Sequence, residues 1–203
     1  MEKRGVLIVI EGIDAVGKRT QSSLLSAWLG LRGLTTATLS FPDYGTDIGR
    51  EIRRFFAGVK DYPPEAIHML LAANRWEKKE EIESLLSRVD VLLVNRYAGS
   101  NLAYGISNGL KLEWLASLDS GLPHADLVCV LDAPPAAIAT RRGPNKDRYE
   151  RNSGLQDRAR RAYLELAAKF RWKVIDASRG IEGTNRALIA AVFEVLSAKG
   201  RTV

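Results

Sequence analysis

Hydrophobic residues along the chain fall into two kinds of stretch. Five short runs, VLIVIE (6–11), TTATLSF (35–41), VDVLLVN (89–95), ADLVCVLD (125–132) and WKVIDA (172–177), are apolar with little alternation. Runs of this kind predict strands covered on both faces, as in a parallel sheet. Between them lie longer stretches with helical periodicity, near 18–32, 47–57, 64–87, 98–107, 134–142, 153–170 and 182–199. In the first of these, Leu24, Leu25, Trp28 and Leu29 make one apolar stripe, and Gly33 follows as a stop.

This alternation predicts an α/β fold: a five-stranded parallel sheet flanked by helices in three layers. Ligands of such sheets gather at the carboxyl ends of the strands. Glu11–Gly12, Phe41, Asn95–Arg96 and Asp132 are therefore expected on one rim. The 203 residues carry no repeat, low-complexity tract or long linker, so a single domain over 1–203 is expected.

Composition narrows the function classes. Hydrophobic residues make up 46% and charged residues 27%, a globular profile. The one cysteine, Cys129, sits in an apolar run; it can form neither an internal disulfide nor a cysteine-built metal site, which predicts a reducing compartment such as the cytoplasm. The first apolar run leads into Glu11 and Gly12, so neither a signal peptide nor a membrane span is expected. The net charge of +6 is concentrated partly in RRGPNKDRYER (141–151) and otherwise spread along helices. That spread reads as a solvated surface, and no nucleic-acid partner is expected. His68 and His124 are isolated and read as structural or exposed.

The strongest local feature is GIDAVGKRT (12–20), which follows the first strand and opens the first helix. Gly12, Gly17 and Lys18 meet the pattern G-x-x-x-x-G-K-[ST] up to its last position. Glycines let backbone N–H groups turn inward around phosphate oxygens, and the helix N-terminus and Lys18 add positive charge. The last position holds Arg19, which has no acceptor atom and cannot ligate magnesium. Thr20 offers a hydroxyl one residue later, about 100° further round the helix. Guanine recognition is not expected: NKD (145–147) is followed by Arg148 and comes after a helix, and the third strand ends VNRYAGS with no D-x-x-G.

Seven blocks occur in a fixed order: IEGIDAVGKRTQ, FPDYGTDIG, LLAANRWE, VNRYAGSNLAY, GLPHADLV, DRYERNSGLQ and VIDAS. Together, from about residue 5 to residue 180, they resemble the thymidylate kinase family of phosphate-loop NTPases. The resemblance implies a phosphotransferase that converts dTMP to dTDP with ATP and Mg2+, for dTTP biosynthesis. It also implies a homodimer and a short lid over about 141–152.

The same resemblance implies the roles of individual residues. The loop Gly12, Ile13, Asp14, Ala15, Val16, Gly17, Lys18, Arg19 and Thr20 holds the ATP phosphates. Arg96 bridges donor and acceptor phosphates, and Asp14 meets the sugar 3′-hydroxyl and the metal region. Arg141, Arg142 and Arg148 are lid cations, with Arg148 a candidate catalytic group. Phe41 and Pro42 belong to the acceptor wall, and Tyr149 and Gln156 to the dTMP side after the lid. Tyr104 crowds the 2′ position, and Asn95 is the candidate metal residue.

Base reading has a separate argument. Leu71 and Arg75 are four apart and share a helix face. An arginine only donates, so facing pyrimidine position 4 it accepts the O4 of thymine and disfavours the amino group of cytosine. Asn101, three residues before Tyr104, can both donate and accept, as N3–H and a carbonyl require.

The sequence departs from the family pattern at several positions. Asn95 replaces an acidic residue, Asp43 and Tyr44 occupy the place of an arginine after F-P, Leu71 stands where an aromatic stacks on thymine, and Ala15 is not the loop arginine. These departures leave two alternatives beside a dTMP kinase: a relaxed nucleoside-monophosphate kinase, or a catalytically weak nucleotide-binding protein.

Overall fold

A computed structural model describes residues 4–138 and 147–201. Five strands, β1 (Val6–Glu11), β2 (Thr36–Ser40), β3 (Val91–Asn95), β4 (Leu127–Asp132) and β5 (Lys173–Asp176), form one sheet in the order β2-β3-β1-β4-β5. All four pairings are parallel. Each predicted strand is present within two residues of its expected ends.

β1 at the centre explains the unalternating apolar runs. Val6, Ile8 and Ile10 enter one core, with Leu25 and Leu29 of α1 (Lys18–Gly30) and Leu188 and Val192 of α10 (Gly180–Ala198). Leu7 and Val9 enter a second core on the opposite face, with Ile82 and Leu86 of α4 (Lys79–Arg88). Every side chain of β1 is buried, so neither face tolerates the polar alternation of a half-exposed strand.

The other helices are α2 (Asp47–Phe56), α3 (Pro64–Trp76), α5 (Ala98–Ser107), α6 (Leu112–Leu118), α7 (Pro135–Ile138), α8 (Arg148–Arg151) and α9 (Ser153–Phe170). Some of their starts carry recognisable caps. Thr46 Oγ1 accepts from Gly49 N at 2.9 Å ahead of α2, Pro64 opens α3, and Asp147 and Glu150 form a reciprocal capping box at α8.

Two expectations are corrected. The single helix over 64–87 is two, α3 and α4, separated at Glu77–Lys78. The seven-residue α6 has no counterpart in the sequence reading. No helix of the described residues is long and apolar enough to cross a membrane.

The register brings the strand ends to one rim. Ser40 pairs with Asn95, Asn95 with Ile10, and Asp132 with Asp176. Backbone bonds carry the alignment past the strands: Phe41 N donates to Asn95 O and Arg96 N to Ile10 O, each at 3.0 Å.

Candidate active site

The loop between β1 and α1 is shaped by its glycines. Gly12 has φ 133°, and a Cβ there would sit 2.4 Å from Leu131 O, so no other residue fits without moving β4. Gly17, the N-cap of α1, has φ 106° and a left-handed conformation. Lys18 folds back across the loop, its Nζ donating to Gly12 O at 2.9 Å and Ile13 O at 2.7 Å. Burial pushes its ammonium down, and the nearby Arg96 pushes it further, to about 7 despite Asp14.

Asp14 is the hub of the site. One carboxylate oxygen accepts from Arg96 Nη2; the other accepts from Tyr104 Oη at 2.8 Å and Gln156 Nε2 at 2.9 Å. Its own N–H donates to Gln156 Oε1 at 3.2 Å. Burial alone would raise this carboxyl, but Arg96, Lys18 and the donors Gln156 and Tyr104 outweigh it and hold it at about 2. Arg96 also donates from Nη1 to Gly12 O at 3.2 Å and Ser100 Oγ at 3.1 Å. Three of its five N–H donors are thus engaged, and two remain for a ligand.

Arg96 is aimed by a residue that the sequence reading placed only on the rim. Glu11 is fully buried; its Oε1 accepts from Tyr97 N at 2.8 Å and Ser100 N at 3.0 Å. Its Oε2 accepts from Ser100 Oγ at 2.6 Å and Tyr163 Oη at 3.0 Å. These bonds tie the β3–α5 turn, where Arg96 adopts a positive φ of 62°, to the end of β1. A buried glutamate at a strand end has no sequence mark that separates it from an exposed one.

Beside the loop lies a cavity of about 250 Å3. Asp14, Arg19, Arg96 and Ser100 border it on the loop side, Phe41, Pro42 and Tyr44 form one wall, and Leu71, Arg75, Asn101, Tyr104 and Tyr149 surround the rest. Candidates from five of the seven blocks of sequence therefore meet in one space. Lys18 and Gln156 do not border it; they act on its edge through the loop carbonyls and through Asp14.

Individual walls follow from identifiable bonds. Arg75 is fixed by Asp119, with Nε and Nη2 each donating at 2.8 Å. Asn101 faces His68, whose Nδ1 lies 2.7 Å from Asn101 Oδ1, and Asn108 Nδ2 lies 3.3 Å from His68 Nε2. Burial lowers His68 to about 4, so the ring is neutral; with the Asn108 amide donating to Nε2, His68 holds its proton on Nδ1 and gives it to Asn101. Tyr149 stacks on Tyr104 with ring centroids 5.4 Å apart.

Two departures from the family pattern acquire a geometry. Asp43 turns out of the cavity, accepting from Lys78 Nζ and from Gly45 N, each at 2.9 Å. Tyr44, not Asp43, borders the cavity, under the Arg53 guanidinium 5.0 Å from its ring centroid. Asn95 donates from Nδ2 to Ser40 Oγ at 3.2 Å, while its buried Oδ1 has no partner among the described residues.

The structure does not bring Arg148 to the phosphate loop. Arg148 pairs with Asp61 at 2.6 Å and lies 4.5 Å from the Phe55 ring centroid, outside the cavity lining. Asp61 is an exposed carboxylate, so solvent screens this pair and it holds Arg148 only weakly. Arg141 and Arg142 lie outside the described residues. Arg19 is exposed, borders the cavity, and has no acidic partner among the described residues.

Comparisons with known proteins identify the family. Residues 10–188 match the family model described as thymidylate kinase. The thymidylate kinase of Homo sapiens is 38% identical over 186 residues, covering 90% of this chain and 87% of that protein. The thymidylate kinase of Dictyostelium discoideum is 34% identical, covering 96% and 87%. The solved thymidylate kinase of Candida albicans, described as having broad substrate specificity, superposes with a TM-score of 0.81 at 30% identity, covering 98% of this chain and 93% of that one.

Proposed function

The chain belongs to the thymidylate kinase family and transfers the γ-phosphoryl group of ATP to dTMP, giving dTDP and ADP; on that premise we propose how its residues divide the work. The observation that carries the assignment is the Asp14–Arg96 pair at the seam between the phosphate loop and the cavity.

On the donor side, the amides of Gly12 to Thr20 and the Lys18 ammonium hold the ATP phosphates. On the acceptor side, dTMP lies in the cavity with its phosphate toward Arg96 and Arg19 and its base toward Leu71, Arg75 and Asn101. Asp14 and Tyr104 take the sugar, and Phe41, Pro42 and Tyr149 wall the space. An oxygen of the dTMP phosphate attacks the γ-phosphorus of ATP, and the bond to the β,γ-bridging oxygen breaks. Such a reaction needs alignment and charge stabilisation more than covalent help. Arg96, with two donors unspent, serves both.

Magnesium bound to ATP phosphates keeps most of its water and needs one or two protein oxygens. Asn95 Oδ1, buried at the rim without a partner among the described residues, fits that modest demand directly or through water. When bound, the ion neutralises charge on the β- and γ-phosphates. The family resemblance further supports a homodimer, and the reduced Cys129 supports the cytoplasm.

A second reading, relaxed base selectivity, is favoured by Leu71: a leucine in the cavity gives apolar contact without aromatic stacking. ADP release measured across dTMP, dUMP, dCMP, dAMP and dGMP, with and without magnesium, tests both readings. A magnesium-dependent preference for dTMP and dUMP supports the first. Equal rates with purine monophosphates support the second. Near-normal turnover in Lys18→Met overturns the loop assignment.

A further inference from the structure

Arg75 and Asp119 form the most deeply buried ion pair among the described residues, their side chains 3% and 7% exposed. The contact is a two-point fork: Nε to one carboxylate oxygen and Nη2 to the other, both at 2.8 Å. Asp119 follows α6 directly, and the preceding Leu118 O accepts from Trp76 Nε1 at 2.7 Å. Consecutive side chains at the end of α3 are thus bound to consecutive residues at the end of α6. The Trp76 bond also joins the two helices. The fork adds a second, buried joint and a fixed guanidinium plane.

We propose that Asp119 is the positioning residue for pyrimidine reading, acting entirely through Arg75. This rests on the acceptor-site reading above. With its Nε–Nη2 side taken by Asp119, Arg75 keeps both protons of Nη1 and the second proton of Nη2; one from each nitrogen share the terminal edge of the guanidinium. A guanidinium held at two points cannot swing, so that edge presents donors at one place on the cavity wall that Arg75 shares with Leu71 and Asn101. Acceptance of an O4 and rejection of an amino group then depend on a donor that cannot move aside.

The pair has a second consequence. A lone buried guanidinium at the base end of the cavity would compete with Arg96 for the monophosphate. Asp119 cancels that charge locally while leaving the donors in place. The base end therefore carries donors without net charge, while Arg19, which has no acidic partner among the described residues, borders the cavity on the loop side.

The test compares kcat and KM for dTMP and dCMP in Arg75→Ala, Asp119→Ala, Asp119→Glu and the double alanine variant. In Asp119→Ala the KM for dTMP rises and the dTMP-to-dCMP ratio of kcat/KM narrows by about tenfold, with kcat for dTMP changed less than about threefold. Asp119→Glu keeps the charge but displaces the fork, and falls between. In the double variant the ratio equals that of Arg75→Ala alone, because Asp119 has nothing left to hold. Removing one partner of a buried pair can unfold a protein, whereas removing both is far milder. If Asp119→Ala does not fold, Asp119→Glu decides. An unchanged ratio in a folded Asp119 variant, with Arg75→Ala narrowed, overturns the role of Asp119 alone. An unchanged ratio in Arg75→Ala overturns the base reading itself.

Discussion

Arg96 Nη2 donates to Asp14 Oδ1 where the phosphate loop meets the acceptor cavity. The two residues are separated by 82 positions and arrive from the ends of adjacent strands, β1 and β3. In the ligand-free chain each is the other's counter-ion, so a phosphate that reaches Arg96 enters a site already balanced by Asp14. The pair turns the guanidinium plane toward the seam and leaves two N–H groups for phosphate oxygens.

That geometry predicts the outcome of Arg96→Lys. The lysine keeps the charge but has no planar fork, so it can satisfy Asp14 or a phosphate oxygen, not both in register. kcat is expected to fall by about 100-fold, a loss typical of one lost charge-stabilising contact in phosphoryl or acyl transfer. The positive φ at position 96 strains lysine and arginine alike, so the melting temperature should barely move. Steady-state kinetics and a thermal melt together check this; a kcat within twofold of the parent removes Arg96 from the transition state.

Lys18 offers a pH test. In the ligand-free chain burial and Arg96 hold it at about 7, so above neutrality it is largely deprotonated. Polyphosphate bound against it favours the charged form and raises its pKa. At about pH 8.5, where ATP is fully ionised, binding must therefore take up close to one proton, and below about pH 6 none through Lys18. Calorimetry of ATP binding in buffers of different ionisation enthalpy reads the uptake directly. Lys18→Met should abolish it, and uptake that persists in that variant would assign the proton elsewhere.

How much of this was legible in the sequence depended on the range of the interactions. The strands and the phosphate loop were readable because their causes are local: apolar runs, Gly12 and Gly17, and a lysine one residue on. The end of α3 was not. NRWEKKE contains no glycine or proline, and helical periodicity runs through it. Where the helix stops, Glu77 Oε1 accepts from Asn74 Nδ2 and Thr46 Oγ1, each at 2.6 Å, and Trp76 bonds Leu118 O. Those partners lie up to 42 positions away.

The candidate site divides the same way. Asp14, Leu71, Arg75, Arg96, Asn101 and Tyr104 were reachable from motifs and helical spacing, and the structure gathers them around one cavity. Glu11 and Asp119, which hold Arg96 and Arg75, were not assigned roles, because a buried orienting carboxylate looks like any other acidic residue in sequence. Arg148 was reachable as a motif position, yet its observed partner is Asp61, outside any motif.

Asn95 carries a prediction about metal demand. Its Oδ1 is buried without a partner among the described residues, and its Nδ2 donates to Ser40 Oγ. Asn95→Asp replaces a neutral oxygen with a charged one at the same place, which strengthens an interaction with Mg2+ or its water. The magnesium concentration for half-maximal activity should fall several-fold. Without magnesium or nucleotide the new carboxylate is buried with little compensation, and stability should drop by about 1–3 kcal/mol. A magnesium titration of activity and a metal-free melt measure the two effects; an unchanged magnesium requirement would place the ion away from Asn95.

Arg19 stands where the motif calls for a magnesium-binding hydroxyl, and its surroundings explain what it can do instead. It borders the cavity with Tyr44 and Arg96, while Arg75 and Arg96 are already matched by Asp119 and Asp14. Tyr44 occupies the wall from which the family pattern would present an arginine. On the proposed reading, Arg19, at the first turn of α1, supplies positive charge to this cavity instead. Arg19→Ser removes that charge and restores the motif hydroxyl. The KM for dTMP is expected to rise about 3- to 30-fold, the range of a charge-assisted hydrogen bond to phosphate, more steeply at low salt. The KM for ATP should stay level or fall, because the serine can reach the metal. Separate titrations of the two substrates distinguish the sides: a rise for ATP with dTMP unchanged would move Arg19 to the donor phosphates.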